Sequence, residues 1–221
     1  MATTDTVIMT ITMCFSATAS FVAGATLITV GAITISKTRT RKEIPFATIP
    51  FFFGVQQIIE GVVWLSIQHN LEILNNLATY TFVFFAYIFW PIFVPFSVIL
   101  LETDTKRKKI LYIFQFVGIA VAMYLLYYII NNHVASGIVK KCITYTLPTQ
   151  YYIPMLSAYI TATSVSSLFS SHKAVNMLGI LATLSFAVAY YFFTTSFVSV
   201  WCFFAAILSI GVYMHFTPRD K

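Results

Sequence analysis

The chain has 221 residues, of which 59% are apolar and 9% are charged, and its mean hydropathy is +0.84. Ordinary soluble domains are about 45–50% apolar and about 25% charged, so this composition excludes a soluble globular domain and a disordered chain. The net charge of +6 does not indicate nucleic-acid binding, because the basic residues lie in short segments between apolar runs. We therefore predict an all-α integral membrane protein with the lipid bilayer as a partner and no nucleic-acid partner.

Long uncharged or nearly uncharged runs divide the chain into predicted transmembrane helices. The first five cores are 15–36, 46–68, 77–100, 110–131 and 151–170. A helix that crosses the hydrocarbon core needs about 20 apolar residues, so each of these runs fits one helix. The last uncharged run, 174–218, is too long for one span. We place a tight turn at Thr194-Thr195-Ser196 and predict the last two cores at 175–193 and 197–216.

Lysine and arginine residues predict the orientation, because cytoplasmic loops carry an excess of them. With seven helices, eleven of the thirteen fall on one side, and only Lys140 and Lys141 fall on the other. This distribution predicts an N-terminus outside the cell and a cytoplasmic C-terminus. No Lys or Arg precedes the first helix, so we interpret it as a retained span and not a cleaved signal peptide. The prediction is one domain, 1–221, with 1–13 as a candidate disordered extension.

Glu60 is the strongest candidate for a functional residue, because it is the only charged residue between Glu43 and Glu72. An ionisable residue at bilayer depth costs about 2.5–3.5 kcal/mol on insertion scales and is normally functional. At helical spacing Gln56, Glu60 and Trp64 share one face, with Gln57 at its border. We predict a ligand- or ion-binding site in which Glu60 binds a cation, carries a proton or acts as an acid or base. The alternative is a protonated Glu60 locked in an interhelical hydrogen-bond network.

A face of small residues at the start of the first helix is the second candidate. Ser16, Ser20 and Gly24 recur every four residues, which lets another helix approach closely. Close packing is one interpretation of this face. The other is that Ser16 or Ser20 lines a site together with Glu60.

Hydroxyl residues and prolines mark the fifth and third predicted helices. The hydroxyls form two stripes, Ser157, Thr161 and Ser164 on one and Thr163 and Ser167 on the other. They suit a helix that lines a hydrated path, but bonds to their own i−4 carbonyls would satisfy them equally well. Trp90-Pro91 and Pro95 predict a kink in the third helix.

Several chemistries find no support in the sequence. His69, His133, His172 and His215 map to helix ends or loops, and none has a carboxylate or cysteine at ligand spacing, so we predict no metal site and no cofactor. The largest loop, 132–150, falls on the outer side and carries Cys142. Because Cys14 also falls there, one disulfide between the two is a candidate in an oxidising compartment.

Two stretches resemble an uncharacterised family of small, mostly bacterial multi-pass membrane proteins. They are MCFSATASFVAG at 13–24 and IPFFFGVQQIIEGVVWL at 49–65, which match an MCFSA-type start and an FGxQQxxEGxxW-type second helix. The resemblance implies a protein of the bacterial inner membrane, with Met13 as a candidate natural start, and it supplies no activity. The topology is also similar to that of alkaline-ceramidase-type membrane hydrolases, whose Asp and His-x3-His zinc ligands this sequence lacks.

For function, the sequence favours a small-molecule or ion transporter in which Glu60 is the proton- or cation-coupling group. A second interpretation is a membrane-embedded enzyme acting on lipid, with Glu60 as acid or base near Ser16 or Ser20. A third is a ligand-binding or structural membrane protein. The expected partner is therefore an unidentified small molecule, ion or lipid, and a homo-oligomer is a further candidate.

Overall fold

The computed structural model describes residues 16–139, 141–148, 150 and 152–217. Within these residues the chain forms seven helices: α1 Ala17–Ser36, α2 Ile44–Gln68, α3 Glu72–Leu101, α4 Thr105–Asn131, α5 Tyr152–Thr163, α6 Lys173–Phe192 and α7 Thr194–Phe216. All except α5 are long and apolar enough to cross a membrane. The predicted all-α class is confirmed, and the length and composition of these helices indicate a membrane protein.

The fifth helix is shorter than the sequence predicts. The predicted core 151–170 becomes α5, which has 12 residues, and a separate 3-10 turn at Val165–Phe169. Near its end the Ser166 hydroxyl donates to the Ala162 carbonyl at 2.6 Å, and the Thr163 hydroxyl donates to the Tyr159 carbonyl at 2.9 Å. Such side-chain bonds compete with the regular helical ladder. At about 1.5 Å per residue, α5 alone spans roughly 18 Å of a hydrocarbon core of about 30 Å. The 3-10 turn carries the chain on to Ser171, whose amide donates to Glu102 at the α3–α4 turn.

The predicted turn between the last two helices is confirmed. Thr194–Ser196 forms a 3-10 turn that follows α6 and opens α7. Helix α7 is interrupted at Ser209, between segments that end at Leu208 and begin at Ile210. The Ser209 hydroxyl donates to the Ala206 carbonyl at 2.6 Å.

Helices α1 and α2 pack at the closest distance that their backbones allow. A Cβ atom on Gly24 would lie 2.9 Å from the Gly54 carbonyl oxygen, and one on Gly31 would lie 2.5 Å from the Phe51 nitrogen. Both distances are too short for a side chain, so these positions require glycine. The close-packing interpretation of the small-residue face on α1 is therefore confirmed at Gly24.

Helix α3 is distorted where the prolines predict a kink. A π-helical segment, Phe84–Phe89, precedes Trp90-Pro91 inside α3. The Pro91 carbonyl lacks its usual i+4 donor because position 95 is also proline. Helix α4 comes so close there that a Cβ on Gly118 would lie 1.9 Å from the Pro91 oxygen. The distortion thus brings the α3 backbone against α4.

A β-hairpin that the sequence analysis did not predict covers one end of the bundle, called here the hairpin end. Strands β1 (Ala135–Val139) and β2 (Cys142–Thr146) pair antiparallel, with Ser136 opposite Tyr145. Ile143 is completely buried, and the Thr144 and Ser196 hydroxyls are 2.9 Å apart. Four of the five residues of β2, Cys142 to Tyr145, are buried, and the Thr144–Ser196 contact anchors the hairpin on α7.

The cysteines divide between the hairpin and the bundle interior. Cys142, at the start of β2, is disulfide-bonded, whereas Cys202 in α7 is free and buried. Cys14 lies outside the described residues. The disulfide between Cys14 and Cys142 therefore stays a prediction.

At the opposite end of the bundle, Glu102 ties the α3–α4 turn to the segment before α6. Its carboxylate accepts hydrogen bonds from the Asp104 and Thr103 backbone amides, both at 2.9 Å, and from the Ser171 amide at 2.6 Å. Burial acts to raise the pKa of Glu102, but these bonds outweigh it and lower the pKa from 4.5 to about 2. The carboxylate thus closes this end of the bundle in its charged form.

Candidate functional site

Glu60 lies in the middle of α2 and joins that helix to α7. Its side chain is completely buried. The Ser199 hydroxyl of α7 donates to Oε1 at 2.5 Å, and the Gln57 amide donates to Oε2 at 3.2 Å. The hydrogen bonds described for Glu60 therefore come from neutral groups, and a charged carboxylate there would have no cationic partner among them.

The two glutamines of α2 form hydrogen bonds with different residues. The sequence analysis placed Gln56 on the Glu60 face and Gln57 at its border, but it is Gln57 that donates to Glu60. Gln56 accepts a hydrogen bond of 2.6 Å from the Trp90 indole of α3. The Trp90 ring in turn stacks on Phe53, with ring centroids 3.8 Å apart. Trp90 thus directs Gln56 away from Glu60, and one helix face connects to both α3 and α7.

Several buried polar atoms around α2 have no protein partner. Among the described residues they include the Ser20 hydroxyl, the Gln57 carbonyl oxygen, the Trp64 indole nitrogen and the Tyr145 hydroxyl. A buried donor or acceptor without a partner costs about 1–3 kcal/mol, so each of these groups calls for an explanation.

Tyr145 brings the hairpin into the electrostatic range of Glu60. The Tyr145 ring stacks on Phe82 of α3, with ring centroids 4.4 Å apart. Burial raises the pKa of the Tyr145 phenol well above 10.0, and the charge of Glu60 raises it further. The hairpin therefore inserts a titratable group toward Glu60 from the hairpin end.

Among the cavities formed by the described residues, two share Tyr159, Trp201 and Cys202. The hairpin cavity, with a volume of about 140 Å³, is lined by Tyr145 and by the turn residues Thr194 and Thr195, among others. The distal cavity, with a volume of about 100 Å³, lies toward the opposite end and is lined in part by Phe53, Trp90, Ser164 and Ser209. Tyr159, Trp201 and Cys202 line both cavities. Glu60 lines neither, so in this conformation it is enclosed between its helices.

The predicted serines of α1 lie in different environments. Ser16 is exposed and begins α1, where its hydroxyl accepts a hydrogen bond of 3.2 Å from the Ala19 amide. This bond is an ordinary helix cap. Ser20 is completely buried, and its hydroxyl belongs to the unpartnered group described above. Ser20 therefore stays a candidate member of the site, whereas Ser16 caps the N-terminus of α1.

Some hydroxyls of the fifth predicted helix bond to carbonyls of their own helix, and others line a cavity. Ser157 donates to the Ile153 carbonyl at 2.9 Å and Thr161 to the Ser157 carbonyl at 2.7 Å, so their own helix satisfies them. Thr163, the last residue of α5, is also back-bonded, and it lines the distal cavity together with Ser164 and Ser167 of the following turn. The hydroxyls that line this cavity thus lie at the end of α5 and just after it.

A family model matches residues 13–221, and its description is a family of unknown function, DUF6629. The chain belongs to this family. The match begins at Met13, where the resemblance noted in the sequence also begins. No curated protein and no solved structure matches the chain at a significant level. Membership agrees with the resemblance to an uncharacterised family, and the family description assigns no activity.

Sequence reasoning missed Ser199, Tyr145 and Cys202 as members of the site. Ser199 is a single hydroxyl in an apolar run, which carries no signal by itself. Tyr145 could not be found either, because its position depends on a hairpin in a segment predicted to be a loop.

Proposed function

We propose that the protein is a transporter of a small molecule or ion in a bacterial inner membrane, in which Glu60 is the proton- or cation-coupling group. The observation that carries this proposal is the bond between Glu60 and Ser199, which joins two helices at a completely buried carboxyl. Gaining or losing a proton or cation at this carboxyl changes how strongly α2 and α7 are held together. This is how a bound ion can be coupled to a helix movement.

The surroundings of Glu60 supply a route to it from the hairpin end. Tyr145 and Cys202 line the hairpin cavity. Tyr145 comes from the hairpin, and Cys202 comes from α7, the helix that also carries Ser199, the donor to Glu60. The distribution of Lys and Arg favours a position of the hairpin end outside the cell, so Glu60 would exchange protons or cations with the exterior through this cavity.

A second route leads toward the other side of the membrane. Gln56, one turn before Glu60, is bonded to Trp90, and Trp90 lines the distal cavity. Because Glu60 is enclosed and lines neither cavity, this conformation corresponds to an occluded state between the two routes. Alternating exposure of one central group is the principle on which secondary transporters work.

A membrane-embedded enzyme is the second candidate. The hydroxyl of Ser199 lies 2.5 Å from a Glu60 oxygen, slightly closer than the range of about 2.6–3.2 Å expected for a nucleophile and its base. Catalysis would require this hydroxyl to face bound substrate, but neither Ser199 nor Glu60 lines a cavity. The transporter proposal needs only the exchange of a proton or small ion at Glu60, so the geometry supports it better.

Infrared difference spectroscopy of Glu60 tests the coupling role directly. The carbonyl stretch of a protonated carboxyl, isolated by subtracting the spectrum of Glu60→Gln, is expected to weaken as the pH rises from about 5 to about 9 or as a coupling cation is added. Glu102→Gln is the matched control, because it removes a carboxyl at the opposite end and should leave this band unchanged. A band that is insensitive to pH and to Na⁺, K⁺ and Mg²⁺ would assign Glu60 a structural role.

Hydrogen–deuterium exchange of the same band tests the route. With the protein in D₂O, the band should shift as the carboxyl proton exchanges, and Tyr145→Phe should slow that shift. Equal rates in the wild type and in Tyr145→Phe would remove Tyr145 from the route.

A further inference from the structure

Two aromatic residues, Tyr159 and Trp201, line both cavities. The Tyr159 and Trp201 rings meet edge to face, with centroids 5.7 Å apart. The Tyr159 hydroxyl donates to the Ala86 carbonyl of α3 at 2.5 Å, and the Trp201 indole donates to the Ala182 carbonyl of α6 at 3.2 Å. One hydrogen bond to a neighbouring helix therefore holds each ring in place.

We propose that the distal cavity binds an uncharged, mainly apolar small molecule and that Tyr159 and Trp201 form the gate between this cavity and the hairpin cavity. The inference deepens the proposed function, on which it rests for the existence of a transported molecule. It adds the chemical class of that molecule and the place at which its passage is controlled.

The walls of the distal cavity define the ligand class. No charged side chain lines either cavity among the described residues, so a charged ligand would lose its hydration without gaining an ionic partner. The stacked rings of Phe53 and Trp90 form an aromatic wall. The Thr163 and Ser209 hydroxyls donate to carbonyls of their own helices, which leaves the cavity mainly apolar.

The size of the cavity limits the ligand to a few carbon atoms or one small ring. Apolar cavities of roughly 150 Å³ inside proteins stay dry and bind benzene. The distal cavity, at about 100 Å³, is of the same order. A molecule of this kind also fits the hairpin cavity, whose volume is about 140 Å³.

The gate is attached to an irregular part of α3. Ala86, which accepts the Tyr159 bond, lies within the π-helical segment Phe84–Phe89. Such segments leave carbonyls free for other donors and are frequent at functional sites. A movement of the Tyr159 ring has to break this one hydrogen bond, whose partners are then free to bond with water or ligand. The gate can therefore open without unfolding any helix.

Cys202 is a built-in reporter of the cavities, because it lines both of them and its thiol is free. Its modification by methyl methanethiosulfonate, a small uncharged reagent, is measured by intact mass, with Cys202→Ala as the control for reaction elsewhere. Toluene at ten times its dissociation constant is expected to slow modification roughly tenfold by mass action. No protection by toluene, or equal protection by benzoate, would overturn the assignment of an apolar, uncharged ligand.

The gate is tested with a reporter that lines the distal cavity alone. In the Cys202→Ala background, a cysteine at Ser209 is expected to react about fivefold faster when Tyr159→Phe removes one ordinary hydrogen bond. Val198→Trp, which fills the hairpin cavity, should slow the same reaction. Phe116→Trp, at a position that is 73% exposed on α4, is the matched control. Unchanged rates in Tyr159→Phe and in a folded Val198→Trp would show that the distal cavity does not exchange through this gate.

Glu60→Gln separates the two proposals. Toluene should still protect Cys202 in this variant, because neither cavity contains Glu60. A pH-sensitive Glu60 band without toluene protection would remove the apolar ligand and keep the coupling role. Toluene protection with a Glu60 band that does not respond to pH would keep the apolar ligand and remove the coupling role.

Discussion

Ser199 donates a hydrogen bond of 2.5 Å to Glu60 across 139 residues of sequence. This bond connects the second helix of the bundle to the last one at a completely buried carboxyl. Its geometry suits a protein in which the packing of α2 against α7 responds to what Glu60 binds.

Removing the Glu60 side chain is expected to destabilise the protein. In Glu60→Ala the Ser199 hydroxyl and the Gln57 amide lose their acceptor, at a cost of about 1–3 kcal/mol each. In Glu60→Gln the new carbonyl can accept from Ser199, and the new amide can donate to the unpartnered Gln57 oxygen. Thermal unfolding in detergent should therefore place Glu60→Gln near the wild type and Glu60→Ala clearly below it. Equal stability of all three proteins would contradict these contacts.

Glu102 predicts an acid sensitivity at the end opposite the hairpin. Its pKa is lowered from 4.5 to about 2, so the charged carboxylate stabilises the folded protein above about pH 4.5, and this contribution is lost as the pH falls toward 2. The unfolding temperature should decrease over that range, and Glu102→Gln should make the decrease smaller. Glu72→Gln, an exposed position, is the matched control and should leave the profile unchanged.

The contact between α3 and α4 predicts an unequal response of two glycines. Gly118→Ala would place a Cβ 1.9 Å from the Pro91 oxygen, so the helices must separate, at a cost of about 1–3 kcal/mol. At Gly137 in the hairpin a Cβ would meet nothing within 4 Å, and Gly137→Ala should be close to neutral. Unfolding measurements on the two variants give the comparison, and a neutral Gly118→Ala would show that α3 and α4 are not in this contact.

Cysteine labelling tests the proposed orientation. Single cysteines placed at exposed positions in 69–75 or 132–150 should react with an impermeant maleimide added outside the cell, and those in 37–44 or 102–109 should not. Labelling of the 102–109 loop from outside would overturn the orientation.

The predicted disulfide between Cys14 and Cys142 is tested by peptide mapping. Mass spectrometry of non-reduced peptides should recover the two cysteines in one linked pair that reducing agent separates. A free Cys14 under oxidising conditions would exclude this pairing, and Cys142 would then need another partner.

The sequence predicts the helices far better than it predicts the site. Uncharged runs determine where helices fit, and they place the Thr194–Ser196 turn correctly, because only an interruption divides such a long apolar segment. The end of α5 at Thr163 is not predictable in this way, since hydroxyl bonding to nearby carbonyls ends the helix without any change in hydropathy.

The residues of the site also differ in how well the sequence predicts them. Glu60 stands out because a charge inside an apolar run is rare, and Gln57 lies beside it by helical spacing alone. Ser199 and Tyr145 become neighbours only through tertiary packing, which neither charge nor periodicity encodes. In the sequence, Trp90 indicates a kink because Pro91 follows it. Its indole N–H gives no signal there, because its partner Gln56 lies on another helix.

The short α5 has a consequence for how the protein is made. A helix of 12 residues is too short to insert stably across a bilayer by itself. The Tyr159 bond to α3 and the contact with Trp201 of α7 then become requirements for assembly. We expect chains that stop before α7 to lose α5 from the membrane, so that completion of the last helix determines whether the whole bundle is retained.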